Sequence, residues 1–213
     1  MQSERLLQAM QKTISHDLPN QIIVLQSLLQ LLREEESDAL GDEGREYVRR
    51  LIHATRRAGE LARFLKELCR IQTLACKAES VSLAALSQEL QGELQRIHAD
   101  RHFEFDWRWS EKTIHGDSRV FLSALLELVA AATSPQSKRC LVSGTSELRD
   151  GAVMLLLRID ERMPGKAAMP FEPIDQRLEV TIACEWLHLC GATVSAEQAI
   201  DGVRTFSIRT PRS

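Results

Sequence analysis

Residues 3 to 34 follow a helical pattern of apolar positions. When Ile14 is set at zero and each further residue adds about 100°, the apolar side chains recur within about 40° of it. These positions are Leu7, Met10, Leu18, Leu25, Leu28 and Leu32. The pattern predicts one long amphipathic helix, followed by a polar loop that ends near Gly44.

A second helix is predicted from about residue 45 to residue 75. Its seam alternates in steps of four and three and has small residues in the middle, which suits close helix packing. The seam positions are Leu51, Thr55, Ala58, Ala62, Leu65, Cys69 and Gln72. Two helices joined by a short loop form an antiparallel hairpin, and one hairpin alone leaves apolar positions uncovered. We expect pairing with a second copy into a dimeric four-helix bundle; the alternative is packing against the chain's own C-terminal domain.

The remaining residues alternate between helical and strand patterns. Helices are predicted at 83–99, 118–133 and 176–190, and strands at 102–109, 113–115, 138–148, 152–160, 193–199 and 203–210. Asp150-Gly151 and Asp201-Gly202 read as hairpin turns between strands. The predicted fold class is α+β, with a helical hairpin over residues 1–77 and an α/β sandwich with a mixed, mostly antiparallel sheet over 78–213.

Composition excludes several classes of protein. A net charge of −3 and a pI near 6.1 give no basic face for nucleic acid. No apolar run approaches the roughly 20 residues of a membrane span, and no signal sequence opens the chain, so we expect a cytoplasmic protein. The five cysteines form no C-x-x-C pair, so they read as small apolar residues in a reducing compartment, without a metal site.

His16 is the candidate for chemistry on the first helix. It lies about 200° from the apolar stripe, so its imidazole is predicted to face solvent, with Asn20 one turn later at about 240°. An exposed imidazole can attack a phosphoryl group, and the carboxylate of Asp17 beside it can take or orient its proton. The Asn20 carboxamide could hold a water for hydrolysis of a partner's phosphoryl group. Ile23, at about 180°, adds an apolar docking position on the same face.

The string Ser15-His16-Asp17-Leu18-Pro19-Asn20 resembles the H-box of sensor histidine kinases. In that family the phosphorylated His is followed by an acidic residue and, four residues on, by Thr or Asn. His16, Asp17 and Asn20 occupy those positions. The family's proline comes five residues after the His, whereas Pro19 comes three after, so we expect a kink at the site.

Residues 82–210 resemble the ATP-binding domain that follows this hairpin in histidine kinases, a sandwich of the Bergerat-like type. Glu127-Leu128-Val129-Ala130-Ala131-Ala132 is similar to the N-box. The resemblance places Glu127 at its first position. It places Ala131 where an Asn would ligate the Mg²⁺ that carries ATP, and alanine has no ligand atom.

The glycine boxes of that domain are also altered. Ile159-Asp160-Glu161-Arg162-Met163-Pro164-Gly165 keeps Asp160, which the resemblance implies would read adenine, but the first expected glycine is Arg162. Arg177 and Glu179 stand at the glycines that would cradle the phosphates. A carboxylate at this place repels a triphosphate. The resemblance therefore implies a degenerate ATPase domain kept as a scaffold, with no cofactor bound by this chain.

The sequence favours a histidine phosphotransferase of a two-component phosphorelay, which exchanges a phosphoryl group between His16 and the aspartate of response-regulator receiver domains. Mg²⁺ is expected on the partner receiver, and Arg56 and Arg57 are candidate docking residues for its acidic pocket. Further expected partners are a second copy of the chain and a hybrid histidine kinase. The alternatives are a pseudokinase that docks a regulator or kinase without carrying phosphate, and an atypical active kinase. Phosphatase activity through Asn20 fits the first two of these three readings.

Overall fold

The computed structural model describes residues 13–35, 39–134, 137–161, 174, 177–198 and 203–211. The chain divides into two compact units between Thr73 and Leu74, close to the predicted boundary after residue 77. The start of the first predicted helix, the Pro164-Gly165 segment and the Asp201-Gly202 turn lie outside the described residues. No helix in the described part of the chain is long and apolar enough to cross a membrane.

The first unit is the predicted helical hairpin. A π-helical turn, Thr13–Asp17, leads into α1, Leu18–Glu35, and α2 spans Asp42–Thr73. The two helices come close at Gly59, where an added Cβ would lie 3.5 Å from a methyl group of Ile22. One turn along, Gln26 Nε2 donates a hydrogen bond of 3.4 Å to the Thr55 carbonyl. Gly59, which lies outside the predicted seam, thus lets α1 approach α2 closely.

The apolar stripe of α1 is exposed in the single chain. Ile22 is buried, whereas the stripe side chains that fall within the described part of this helix remain open to solvent. The exposed members of the stripe are Leu18, Leu25, Leu28 and Leu32. On α2 one seam column, with Thr55 and Ala62, turns inward, and Leu51 and Leu65 on the neighbouring column stay exposed. Helical geometry places both exposed columns on the same side of the hairpin, and we call this surface the apolar face.

The described residues of the second unit form two sheets and three α-helices. The helices are α3, Leu83–Ile97; α4, Ser118–Ala132; and α5, Leu178–Leu189. The strands are β1, Glu79–Ser82; β2, His102–Trp109; β3, Thr113–Gly116; β4, Arg139–Arg149; β5, Ala152–Glu161; β6, Thr193–Gln198; and β7, Arg204–Pro211. The main sheet has the order β2-β4-β5-β7-β6, and β1 pairs with β3 separately. Only the β2–β4 pair of the main sheet is parallel, so the sheet is mixed and mostly antiparallel, as predicted.

One face of the main sheet packs against the helices and forms the core. The residues of β5 predicted to fill this face are all buried: Val153, Leu155, Leu157 and Ile159. On β2 the rings of Trp107 and Trp109 stack at a centroid distance of 5.5 Å. They pack over Gly144 of β4, where a Cβ would lie 2.4 Å from the Trp109 ring, so no larger residue fits there. The two tryptophans are thus half-buried and pack against the sheet.

Candidate functional site

His16 lies in the π-helical turn that precedes α1, and its side chain is exposed. Pro19 follows three residues later and has no N–H, so it cannot donate to the Ser15 carbonyl as an α-helix requires. Irregular backbone is expected at such a point, and single π turns frequently occur at functional sites. The nucleophile candidate therefore stands where the helix departs from regular geometry.

The predicted neighbours of His16 share its solvent exposure. The Asp17 and Asn20 side chains are both exposed, and the Ile23 side chain is 57% exposed. Counting about 100° per residue from Ile22, His16, Asn20 and Ile23 lie on the side of α1 away from the apolar face. The arrangement leaves an imidazole, a carboxamide and an apolar side chain open to a partner, while Leu18 and Leu25 point to the other side.

The exposed arginines of α2 differ in whether they face the same side of the hairpin as His16. Arg56 and Arg57 are both exposed, but Arg56 lies on the side of His16, and Arg57 is turned about 100° away from it. The contact between Ile22 and Gly59 fixes the register of the antiparallel hairpin. Arg63 consequently lies about 3 Å along the axis from the level of His16, on the same side. Arg56 and Arg63 are spaced by seven residues, which is the signal in the sequence for this basic column.

In the second unit, two arginine side chains bind backbone carbonyls at the C-terminal end of α4. This last turn contains Ala131, the position at which the resemblance expects a metal ligand. Ala131 is buried, and its carbonyl accepts a hydrogen bond from Arg177 Nη1. The carbonyl of Ala132 accepts from Arg204 Nη1. Carbonyls in the last turn of a helix carry partial negative charge, so both guanidinium groups are favourably placed.

Arg204 and Glu161 form a buried ion pair beside this helix end. Arg204 is 1% exposed, and its Nη1 lies 3.1 Å from Glu161 Oε2. The other oxygen of Glu161 accepts a hydrogen bond from the Ser134 amide. Burial, together with the charges of Glu161 and Asp160, raises the pKa of the nearby Cys140 thiol to about 12. The Arg204 cation and the Glu161 anion are thus already paired with each other in this interior.

Asp160 and Glu161 point in opposite directions from β5. The residues at 153, 155, 157 and 159 are buried, so alternation puts Glu161 on the helix side and Asp160 on the outer side. Sequence reasoning singled out Asp160 and missed Glu161 and Arg204, which make the interior contacts. The alternation along β5 could have predicted that Glu161 faces the interior, because Glu161 lies two residues after the last of the alternating buried positions, Ile159.

The other predicted positions of the degenerate site are half-buried. Glu127 lies in the third turn of α4, and Glu179 lies in the first turn of α5, next to the N-cap residue Arg177. Arg177 makes no side-chain cap bond to α5, since its guanidinium reaches back to Ala131. The start of α5 therefore presents a carboxylate and an arginine, and it has no glycine that would let a phosphate approach the backbone.

The element order and the sheet topology define a class of fold, that of the histidine kinases. Among solved structures, the chain is similar to the histidine kinase AdeS of Acinetobacter baumannii, with 15% identity and a TM-score of 0.59 over 93% of this chain and 98% of that one. It is also similar to full-length ShkA in complex with AMPPNP, with 18% identity and a TM-score of 0.57. That match covers 95% of this chain and 45% of ShkA.

The second unit alone accounts for a further likeness. The catalytic domain of the histidine kinase ThkA, in a nucleotide-free form, matches 64% of this chain over 97% of its own length, with 15% identity and a TM-score of 0.50. No family model and no curated protein matches the sequence. At these identities the likenesses establish the fold.

Proposed function

We propose that the protein is a histidine phosphotransferase, which accepts a phosphoryl group on His16 from the aspartate of one receiver domain and passes it to another. The observation that carries the proposal is the exposed His16, set in a π turn with Asp17 and Asn20 open to solvent beside it. The fold shared with histidine kinases fits this role, because in that class of protein a His of the hairpin takes the phosphoryl group.

The transfer needs no ATP, because the receiver's acyl phosphate supplies the phosphoryl group. A neutral imidazole nitrogen of His16 attacks the phosphorus of the receiver's acyl phosphate, an N–P bond forms, the P–O bond breaks, and the receiver's carboxylate leaves. In this proposal Asp17 holds the proton on the other ring nitrogen. The same steps in reverse deliver the group to a second receiver. Mg²⁺ bound by the receiver's acidic pocket would neutralise the phosphoryl oxygens in both directions.

The interior of the second unit supports a donor outside this chain. An ATP site needs a metal ligand and a cradle of free amides for the phosphates. Here Arg177 and Arg204 occupy the carbonyls at the end of α4, and the Glu161 carboxylate, which could otherwise bind a metal ion, is already paired with Arg204. We infer that this unit serves as a scaffold and leaves the hairpin to do the chemistry.

The hairpin supports docking of an acidic receiver on one side and of a second copy on the other. Arg56 and Arg63 form a basic column on the side of His16, and Ile23 supplies an apolar contact there. A receiver carries its phosphorylated aspartate in an acidic pocket, so a basic column would raise its association rate. The apolar face on the opposite side is free to pair with a second chain, as in a four-helix bundle.

The proposal is tested by offering the protein a receiver domain labelled with phosphate on its aspartate, with Mg²⁺ present. Acid-labile label should move to the wild-type chain and be lost in His16→Ala, while Asp17→Asn should slow transfer by about 10²-fold or more. His53→Ala, which removes an exposed histidine of α2, is the matched control and should transfer normally.

Two outcomes decide against the proposal. If no receiver of the source genome transfers label to the wild type, His16 carries no phosphate, and a protein that only docks its partners is left. If the chain instead labels His16 from γ-labelled ATP and Mg²⁺, the protein is a kinase.

A further inference from the structure

Two cysteines that are far apart in the sequence meet where the second unit begins. Cys76 lies three residues after the last residue of α2, and Cys190 forms the C-cap of α5. Their Sγ atoms are 3.5 Å apart, and both side chains are half-buried. The two thiols are free in the structure and lie within hydrogen-bonding distance of each other.

One residue, Asp117, contacts the surroundings of both sulfurs, through its buried carboxylate on one side and through its backbone amide on the other. The amide of Lys77, next to Cys76, donates to Asp117 Oδ2 at 2.9 Å. The amide of Asp117 donates to Cys190 Sγ at 3.4 Å. Arg119 binds both oxygens of Asp117, and together with these backbone bonds it holds the pKa of Asp117 at about 2. Asp117 thus stays ionised and keeps the two cysteines beside each other at any physiological pH.

The position of Cys190 is further limited by Gly116. This glycine has a φ of +155°, and a Cβ there would lie 3.1 Å from Cys190 Sγ. The sulfur therefore packs directly on the backbone of β3 and has little room to turn away from Cys76. An S–S bond of about 2.05 Å requires the two sulfurs to approach by about 1.5 Å, which small rotations of the side chains can supply.

We propose that Cys76 and Cys190 form a reversible intrachain disulfide when a peroxide is present. This redox switch ties the first residues of the second unit to the end of α5. Only Leu74 and Ala75 then separate Thr73, the end of the hairpin, from the disulfide. The switch restricts the connection through which any movement of one unit reaches the other.

The order of the oxidation steps follows from the surroundings of Cys76 and Cys190. Burial raises the pKa of Cys190 to about 12, so this group stays a thiol, whereas the form that attacks peroxide is the thiolate. Oxidation accordingly starts at Cys76: its sulfur takes one oxygen of the peroxide, and the other oxygen leaves as water. The Cys190 sulfur then attacks the sulfenic sulfur, and the hydroxyl leaves as water with the Cys190 proton. One peroxide is reduced for each disulfide formed.

Peptide mapping tests the switch directly. The full-length protein is treated with hydrogen peroxide, remaining thiols are alkylated, and the chain is digested with trypsin without reduction. Peptide Ile71–Lys77 should appear joined to peptide Leu178–Arg204, and dithiothreitol should release it. The oxidised protein should run as a single chain on a non-reducing gel. Its melting temperature should rise by about 5 °C or more, because the bond closes a loop of more than 100 residues.

Variants identify the cysteines involved. Peptide Leu178–Arg204 also contains Cys184, so Cys184→Ser is the matched control and should still form the joined peptide. Cys76→Ser and Cys190→Ser should both abolish it while the circular dichroism spectrum stays that of the wild type. The proposal is overturned if the joined peptide persists in Cys190→Ser. It is equally overturned if wild-type Cys76 is recovered only as the alkylated thiol or as a sulfinic acid.

Discussion

Arg204 is the residue on which the interior of the second unit depends most. Its guanidinium is almost fully buried, and it contacts both the Glu161 carboxylate and the Ala132 carbonyl. A buried charge costs several kcal/mol to desolvate, and the cost is offset only when its partner and its hydrogen bonds are all in place. Removing one member of such a pair is therefore more harmful than removing both.

We expect Arg204→Met to destabilise the protein by about 3–5 kcal/mol, since it leaves the Glu161 carboxylate buried without its cation. Glu161→Leu should cost a similar amount. The double variant should recover at least about 2 kcal/mol relative to either single variant, because no uncompensated charge is left. Urea unfolding of the four proteins measures these free energies.

Arg209→Met, which alters an exposed arginine on the same strand, is the control for a general effect of removing charge from β7 and should change the free energy of unfolding by less than about 0.5 kcal/mol. Strictly additive losses in the Arg204 and Glu161 double variant would show that the two side chains do not act as a pair.

At the scale of elements, α1 is apolar on more sides than a single hairpin can cover. Ile22 packs on α2, Leu25 belongs to the apolar face, and Val24 points to a third side. Leu25 and Val24 are 49% and 52% exposed, so they are matched in burial and differ in direction. Val24 is therefore the control position for Leu25 of the apolar face.

Leu25→Lys should convert a dimer into a monomer of 24.1 kDa, because the bundle would bury two charged side chains, one from each copy. Val24→Lys should leave the dimer intact. Light scattering coupled to size exclusion measures both masses. A wild-type protein that elutes at the monomer mass, or equal loss of the dimer in both variants, contradicts the assignment of the apolar face.

Elements whose pattern is local could be predicted from the sequence, and contacts between distant segments could not. The periods of 3.6 and 2 locate both hairpin helices and the strands of the main sheet, because each depends only on neighbouring residues. β1 was missed, because Glu79–Ser82 has one buried apolar residue, Val81, and depends on its pairing with β3. The pair of Arg204 and Glu161 was missed because 43 residues separate its members, and an arginine in a strand reads as exposed.

At the scale of the whole molecule, the proposal assigns phosphoryl transfer to the hairpin and a scaffold role to the second unit. Nucleotide binding tests this assignment. A ligand at one hundred times its dissociation constant stabilises a folded protein by about 2.7 kcal/mol, or roughly 5–10 °C for a domain of this size. The altered interior of the second unit predicts that millimolar ATP with Mg²⁺ shifts the melting temperature by less than about 1 °C.

Calorimetry of the full-length chain measures this shift, and the isolated ATP-binding domain of a nucleotide-binding histidine kinase is the positive control. A rise of several degrees with ATP, absent with AMP, would show that the second unit still binds a triphosphate. Its role as a scaffold would then have to be given up, although transfer through His16 would stand on its own test.

The stacked indoles of the main sheet give the two units separate optical signals. All three tryptophans of the chain, at 107, 109 and 186, belong to the second unit, and the single tyrosine, Tyr47, belongs to the hairpin. Light absorbed at the red edge of the tryptophan band thus excites the second unit alone. The close, nearly parallel rings of Trp107 and Trp109 should also couple their transitions, which gives the near-ultraviolet circular dichroism a paired band that the hairpin cannot contribute.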